Sequence, residues 1–266
     1  MESQRTTYRS LALLCLLGLV ATAAWSAPAR KTPDGVSGWN DRLQAARTHL
    51  IAGEHKKALG ITRDLQSEMV DRIWTGPGAA KALAVTTLSR ALAEAGLGDL
   101  EAAEWDWYTA QTIDPVVLTL DLAPFGAAGA TVKSFPDLTK TDDTPYPAEK
   151  EVRDPAKACD PKKEPCVQKP ELLKRSDLSY PEALASACAE GVVVVESIID
   201  ENGKIRYPRL KESPGNPVMA FAALESLRSW RYKPAMFEGK PVKVYYTLTV
   251  NFRATSKGCL DRRKAG

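Results

Sequence analysis

The sequence predicts an α+β protein with an α-helical N-terminal domain, a proline-rich linker, and a C-terminal domain that combines a three-stranded antiparallel sheet with two helices. Three observations predict this. Apolar residues recur at helical spacing from Asp41 to about Pro115. Seven of the 18 prolines then fall between Pro136 and Pro170. Beyond them, β-branched and alternating runs follow and separate two helical patterns.

Composition argues against several functional classes. The 266 residues carry a formal net charge of +3, which is too small to predict binding to nucleic acid. His49 and His55 are the only histidines, so the sequence has too few histidines to favour a histidine-based catalytic triad or metal site. No phosphate-binding loop or dinucleotide motif is present in the sequence. We therefore expect no enzyme, no cofactor and no small-molecule substrate.

The N-terminus predicts export. Arg5 and Arg9 precede an apolar run from Leu11 to Trp25, and small residues follow from Ser26. This pattern indicates a secretory signal in residues 1–26. The alternative is an uncleaved anchor, but the run would form only about 22 Å of helix, short of a ~30 Å hydrocarbon core. With either interpretation, the rest of the chain is expected outside the cytoplasm.

Cysteine usage is consistent with export. Cys159, Cys166, Cys188 and Cys259 remain once residues 1–26 are removed, and an even number in an oxidising compartment favours disulfides. Zinc is the alternative. However, the spacing from Cys159 to Cys166 is wider than usual for a ligand pair, and no histidine lies nearby. We expect no metal site, and the residues alone leave three disulfide pairings open.

The helical region, residues 37–133, contains two helix–turn–helix units. Gly53 and Gly98 mark the turns, and Ala58 and Ala103 each follow five residues later. The second unit continues with Trp107, Ala110 and Pro115. This pattern resembles the tetratricopeptide repeat, which implies a peptide-binding groove. A small helical bundle is the alternative, because at least three repeats are normally needed for that architecture.

Residues 134–170 are predicted to be a linker. Prolines alternate there with charged residues, and large apolar residues are nearly absent. Such a segment cannot bury enough apolar surface to fold alone, and its prolines favour extended polyproline geometry.

The C-terminal elements begin with Tyr180-Pro181, which opens a short helix with proline in its first turn. Gly191 marks the end of the segment that contains this helix. Val192–Ile199 is β-branched almost throughout and is predicted to be a strand. Asn202-Gly203 is a strong hairpin signal and returns the chain into a second strand, Ile205–Leu210.

A second helix and a final strand follow. Asn216-Pro217 is typical of a helix start, and Glu238-Gly239 predicts a turn into a strand from Val242 to Phe252. Apolar residues alternate along that strand with a predicted wet face. The helix carries one apolar stripe made of Met219, Ala223, Leu227 and Trp230. The wet face consists of Lys243, Tyr245, Thr247, Thr249, Asn251 and Arg253.

The element order and motifs of residues 171–259 resemble the C-terminal domain of TonB, the energy transducer of outer-membrane transport. The resemblance covers about a third of the chain, and the proline-rich segment before it is similar to the family's periplasm-crossing linker. Residues 260–266 remain as a basic tail. The matching motifs are Tyr180-Pro181, Gly191 with Val193 and Val195, Ile199–Lys204, Ala223–Ala235, Gly239–Val242 and Val250–Phe252.

The resemblance implies binding rather than catalysis, in the periplasm. The expected partner is an outer-membrane receptor, or another envelope protein, that adds an extended segment to a sheet edge. Tyr180 and Pro181 would lie next to that site, and the final strand would supply the edge. The partner-binding residues implied on that strand are Lys243, Tyr245, Thr247, Thr249 and Asn251.

Two departures from the family bear on energy coupling. The family's transducers keep a long N-terminal anchor with a polar residue, usually histidine, that couples to inner-membrane motor proteins, whereas the apolar run here is short and contains no histidine. The helical region is an addition. Motor proteins are therefore expected partners only if residues 1–26 stay attached. The alternative function is a non-transducing periplasmic scaffold that uses both domains to bind proteins.

The resemblance also implies a disulfide pairing. If the first and third strands are antiparallel neighbours, Cys188 before one lies beside Cys259 after the other, leaving Cys159 for Cys166. The competing pairing joins Cys166 to Cys188.

Overall fold

The protein is described here by a computed structural model that covers residues 36–72, 78–139, 152–155, 165–176, 180–254 and 259–261. Its helical N-terminal part and its mixed C-terminal part confirm the predicted α+β class. No helix within these ranges is long and apolar enough to cross a membrane. The predicted signal or anchor, residues 1–26, lies outside the described residues.

The N-terminal part, called the helical unit, forms two helical hairpins and a shorter fifth helix. Gly53 and Gly98 make the two hairpin turns with φ of +74° and +81°, a left-handed conformation that costs glycine little. Ala58 and Ala103, five residues after these turns, are fully buried. The helices are α1 (Val36–Ile51), α2 (His55–Asp71), α3 (Ala79–Gly96), α4 (Leu100–Ile113) and α5 (Gly126–Ser134).

The C-terminal part, called the C-terminal unit, contains two helices and three small sheets. The helices are α6 (Glu182–Ser186) and α7 (Pro217–Arg228). The strands are β1 (Glu171–Lys174), β2 (Gly191–Ile199), β3 (Ile205–Glu212), β4 (Arg231–Lys233), β5 (Ala235–Phe237), β6 (Lys240–Val242) and β7 (Val244–Phe252). The main sheet has the antiparallel order β3-β2-β7, as predicted, while β1 pairs with β4 and β5 with β6.

Helix α7 forms the core of this unit against the main sheet. The side chain of Asn216 accepts hydrogen bonds from the backbone N–H groups of Val218 and Met219, which confirms the predicted helix start. The predicted stripe faces inward, since Leu227 is fully buried and Trp230 is 5% exposed. It packs on sheet residues that include Val193, Val195, Leu248 and Val250.

The final strand is shorter than the sequence predicted. The register of β2 and β7 ends where Ile199 pairs with Val244, so β2 offers no partner for Val242. Val242 instead pairs with Ala235 in the β5–β6 hairpin. The alternating pattern runs through both strands, and this is why the sequence alone merged them.

The predicted linker lies on folded parts of the protein wherever the structure describes it. Leu138 is 4% exposed within the core of the helical unit. Gln168 exchanges two backbone hydrogen bonds with Met236, of 2.8 and 3.1 Å. Directly after the predicted linker, Glu171–Lys174 forms β1. These contacts tie both ends of the segment to the units beside it.

The two units interlock through aromatic side chains. Trp105 of α4 belongs to the core of the C-terminal unit, and Phe221 of α7 belongs to a core cluster of the helical unit. Tyr207 sits at a bulge in β3 with φ +51° and contacts Tyr108 with ring centroids 5.3 Å apart. The bulge turns Tyr207 toward the helical unit, so that unit covers part of the main sheet.

Candidate functional site

Strand β7 lies at an edge of the main sheet, because it pairs with β2 on one side only. The N–H of Tyr245 donates outward, to the carbonyl of Arg153. Since backbone groups alternate along a strand, those of Thr247, Thr249 and Asn251 also face away from β2. Within the described part of the chain nothing pairs with them. We call these outward N–H and C=O groups the open edge.

The side chains of β7 hold the open edge in place. Val244, Leu248, Val250 and Phe252 are buried beneath the sheet, whereas the alternate residues Thr247, Thr249 and Asn251 are exposed. The buried face fixes the register of β7, because a one-residue slip would expose every apolar side chain. The strand therefore offers a firm edge to solvent.

Tyr180 and Pro181 lie at the far end of β7. The ring of Tyr180 packs edge-on against Phe252, with centroids 5.6 Å apart, and its hydroxyl donates to the carbonyl of Ala189. Burial raises the pKa of the Tyr180 phenol above its ordinary value. Pro181 is buried. The two residues thus support the end of the edge strand, next to the open edge.

Lys243 and Tyr245 lie at the near end, where the edge already carries a segment of the same chain. The N–H of Arg153 donates to the Lys243 carbonyl over 3.0 Å, and the Tyr245 N–H donates to the Arg153 carbonyl over 2.9 Å. Sequence reasoning missed Arg153. Its only signal was Val152, a lone β-branched residue among prolines and charges.

A disulfide joins Cys188 to Cys259, with Cα atoms 5.5 Å apart. This is the pair that the resemblance implied. It ties the turn before β2 to the segment after β7. Cys166 is also disulfide-bonded, while Cys159 lies outside the described residues.

We expect Cys259→Ser to lower the free energy of unfolding by about 2–4 kcal/mol, because the Cys188 bridge closes a loop of 71 residues in sequence. Urea unfolding followed by circular dichroism measures this. Cys166→Ser is the matched control, because it removes a different disulfide and so measures the effect of losing a bridge elsewhere in the chain. A Cys259→Ser protein as stable as the wild type would contradict the expectation.

A second group of polar residues lies between the two units, and the sequence did not predict it. Arg90 and Asp106 of the helical unit form a buried ion pair, which Glu225 and Arg228 of α7 extend. Glu94 lies beside them. We call Arg90, Glu94, Asp106, Glu225 and Arg228 the charge cluster. The sequence signal was a charged residue, Arg90, inside the apolar pattern of α3.

Short contacts hold the charge cluster together, and its surroundings shift the pKa of one member, Glu94. Arg90 Nη2 lies 2.8 Å from Glu225 Oε1, and Arg228 Nη1 lies 3.2 Å from Asp106 Oδ1. Burial and the adjacent Asp106 carboxylate raise the pKa of Glu94 to about 8. An open cleft of about 580 Å³ borders the cluster, so solvent reaches its rim. The cluster fixes the C-terminal unit against the helical unit.

The part of the chain that the structure describes contains no candidate metal site. No group of three or more histidine, cysteine, aspartate or glutamate side chains is arranged there to hold an ion.

Comparison with protein families identifies the C-terminal domain. The family model for the C-terminal part of the Gram-negative bacterial TonB protein matches residues 176–254. This range contains Tyr180 and the whole β3-β2-β7 sheet, so the domain that the sequence resemblance indicated is confirmed. The helical unit lies outside the match. No match was found among curated proteins.

Proposed function

We propose that this protein binds an extended segment of an outer-membrane receptor by adding it as a strand to β7, and so supports energy-dependent transport across the outer membrane. The open edge of a TonB-type domain is the observation that carries this proposal. Unpaired backbone groups on an edge strand accept an extended peptide with little demand on its side chains.

The dimensions of the open edge favour reversible binding. Thr247, Thr249 and Asn251 offer three N–H donors and three carbonyl acceptors. Each net hydrogen bond contributes about 0.5–1.5 kcal/mol, so six of them supply about 3–9 kcal/mol, from which the entropy lost on ordering the peptide is subtracted. A transport partner that must bind and release in each cycle needs such moderate affinity.

The cellular setting belongs to the same proposal. Residues 1–26 have the pattern of an export signal, so we place the protein in the periplasm. If the apolar run stays attached to the inner membrane, motor proteins there are further partners. Binding rather than catalysis is the role that the domain match favours.

A non-transducing scaffold is the second candidate, and the contact between the two units favours it. Buried charges and interlocked aromatic residues make the helical unit and the TonB-type domain one body. If the helical unit binds a protein, as its resemblance to the tetratricopeptide repeat implies, such a body would hold two protein-binding surfaces at a fixed separation. N-terminal sequencing of the mature protein separates the candidates, because a chain cleaved after residue 26 has no route for direct transduction from the inner membrane.

Strand addition has a direct test in the proline variants Thr247→Pro and Thr249→Pro. Each removes one outward N–H without touching the β2 ladder. We expect each to weaken binding of an extended receptor-derived peptide by about tenfold, since one blocked hydrogen bond and the proline ring together cost about 1.4 kcal/mol. Fluorescence anisotropy with a labelled peptide measures the affinity.

The matched controls are Thr247→Ala and Thr249→Ala, which keep the N–H groups and should bind as the wild type does. Circular dichroism checks that the proline variants stay folded. Folded proline variants with unchanged affinity would refute strand addition at β7.

A further inference from the structure

A short stretch of the predicted linker, Val152–Pro155, already occupies the near end of the β7 edge. We call it the paired segment. It runs parallel to β7 and forms a bridge between Arg153 and Val244. Its two backbone hydrogen bonds, to Lys243 and Tyr245, are of the kind that an added strand would make. The edge therefore accepts a strand in the structure itself.

Side chains of the paired segment also fit their surroundings. The guanidinium of Arg153 lies 3.7 Å from the ring centroid of Phe237, which is a close cation–π contact. Val152 packs against an apolar cluster that includes Tyr245. In an extended chain neighbouring side chains point to opposite faces, so Val152 and Arg153 meet different surroundings. Together their contacts favour an apolar residue followed by a basic one.

Proline limits how far this pairing extends. In a parallel ladder the next residue to donate toward β7 after Arg153 is residue 155, and its donation would go to the carbonyl of Tyr245. Pro155 has no N–H and cannot make that hydrogen bond. The pairing stops there, and the open edge beyond Tyr245 is left for another strand.

We propose that the paired segment is an internal competitor for the partner strand, and that the subsite it fills selects an apolar residue followed by arginine or lysine. This inference rests on the proposed function. A partner strand first meets the open edge, and it then displaces the paired segment to reach Tyr245 and Lys243. The apparent affinity for the partner strand equals its intrinsic affinity multiplied by the fraction of molecules whose edge is fully open, so the paired segment lowers it.

Amide hydrogen exchange on the full chain tests the pairing without any partner. In the wild type we expect the Tyr245 amide to exchange at least tenfold more slowly than the Thr247 amide. Arg153→Pro removes the donor to Lys243 and should abolish most of that protection. Arg153→Ala keeps the backbone donor and loses only the stacking on Phe237, so it should give an intermediate rate. Equal Tyr245 protection in the wild type and in folded Arg153→Pro would overturn the proposal.

A peptide of residues 149–158, labelled with a fluorophore, tests competition and selectivity. We expect it to bind Arg153→Pro about tenfold more tightly than the wild type, as the edge becomes available. The same peptide with Arg153→Glu should bind neither protein. Equal affinities of the wild type and the variant, or equal binding of both peptides, would overturn the competitor role.

The two proposals fail differently. If Tyr245 protection depends on Arg153 but Thr249→Pro leaves receptor-peptide affinity unchanged, strand addition and with it the competitor role are refuted, while the intramolecular pairing stands. If Thr249→Pro weakens binding but Arg153→Pro changes neither exchange nor affinity, strand addition stands and only the internal competitor is refuted.

Discussion

Replacing Arg90 with Met is expected to lower the free energy of unfolding by about 3–5 kcal/mol, because Asp106 would remain as a buried charge without its main partner. The Asp106 side chain is fully buried and that of Arg90 is 8% exposed. Burial would lower the pKa of Arg90, but the adjacent Asp106 carboxylate raises it above its ordinary value. Arg90 therefore keeps its positive charge at every accessible pH.

Urea unfolding followed by circular dichroism measures this loss, and Arg63→Met is the matched control. Arg63 also lies within 3.6 Å of an acidic side chain of the same region, Glu94, but the Arg63 side chain is 60% exposed. Because solvent screens the exposed Arg63 guanidinium, this contact contributes about 0–1 kcal/mol, and the control should remain close to the wild type. Equal losses in the two variants would contradict the importance of burial.

A double variant separates the two causes of the loss. In Arg90→Met/Asp106→Leu neither charge remains, so the penalty of an unpaired buried carboxylate disappears. We expect the double variant to be more stable than Arg90→Met alone, which is a strongly non-additive result. The interface with α7 should loosen in both, because Glu225 loses its contact with Arg90.

Local signals explain why much of the fold could be predicted. The Asn202-Gly203 turn and the Asn216 cap each depend on residues adjacent in sequence, and both lie where expected. The glycine turns of the helical unit are equally local. Such features need no knowledge of tertiary packing.

The contact between the units could not be predicted, because its partners are far apart in sequence. Arg90 and Glu225 are separated by 135 residues, and Arg206 and Glu104 by 102. A charged residue on a helix reveals neither its burial nor its partner. The edge pairing of Arg153 is similar, since a single bridged residue has no periodicity to detect.

Part of the candidate site could likewise be predicted from local sequence, and part could not. Alternation along the final strand predicted the exposed residues Thr247, Thr249 and Asn251, which the structure leaves at the open edge. The same pattern also included Lys243 and Tyr245, where the chain pairs with itself. Only the tertiary structure separates the two halves of this edge.

The stability of the protein is expected to fall as pH rises from about 5 to 8, because of the Glu94 carboxyl. Burial and the Asp106 carboxylate raise its pKa to about 8 in the folded state from an ordinary value of 4.5, although Arg90 and Arg228 oppose the shift. One Glu94 oxygen is buried with no donor in reach, and as a protonated hydroxyl it can donate to Asp106. Across this window the folded protein holds a proton that the unfolded chain releases, so the free energy of unfolding decreases by at most ~1.4 kcal/mol per pH unit.

Glu94→Gln tests this dependence, since the amide stays neutral and can still donate to Asp106. Urea unfolding at about pH 5, 6.5 and 8 should give the variant a flatter profile than the wild type, and greater stability at the highest pH. Glu68→Gln is the control. A hydrogen bond from Trp39 lowers the pKa of Glu68, so any contribution from Glu68 is lost only as pH falls below this window. The control should therefore keep the wild-type slope, and parallel profiles for the wild type and Glu94→Gln would show that Glu94 carries no proton in the folded state at neutral pH.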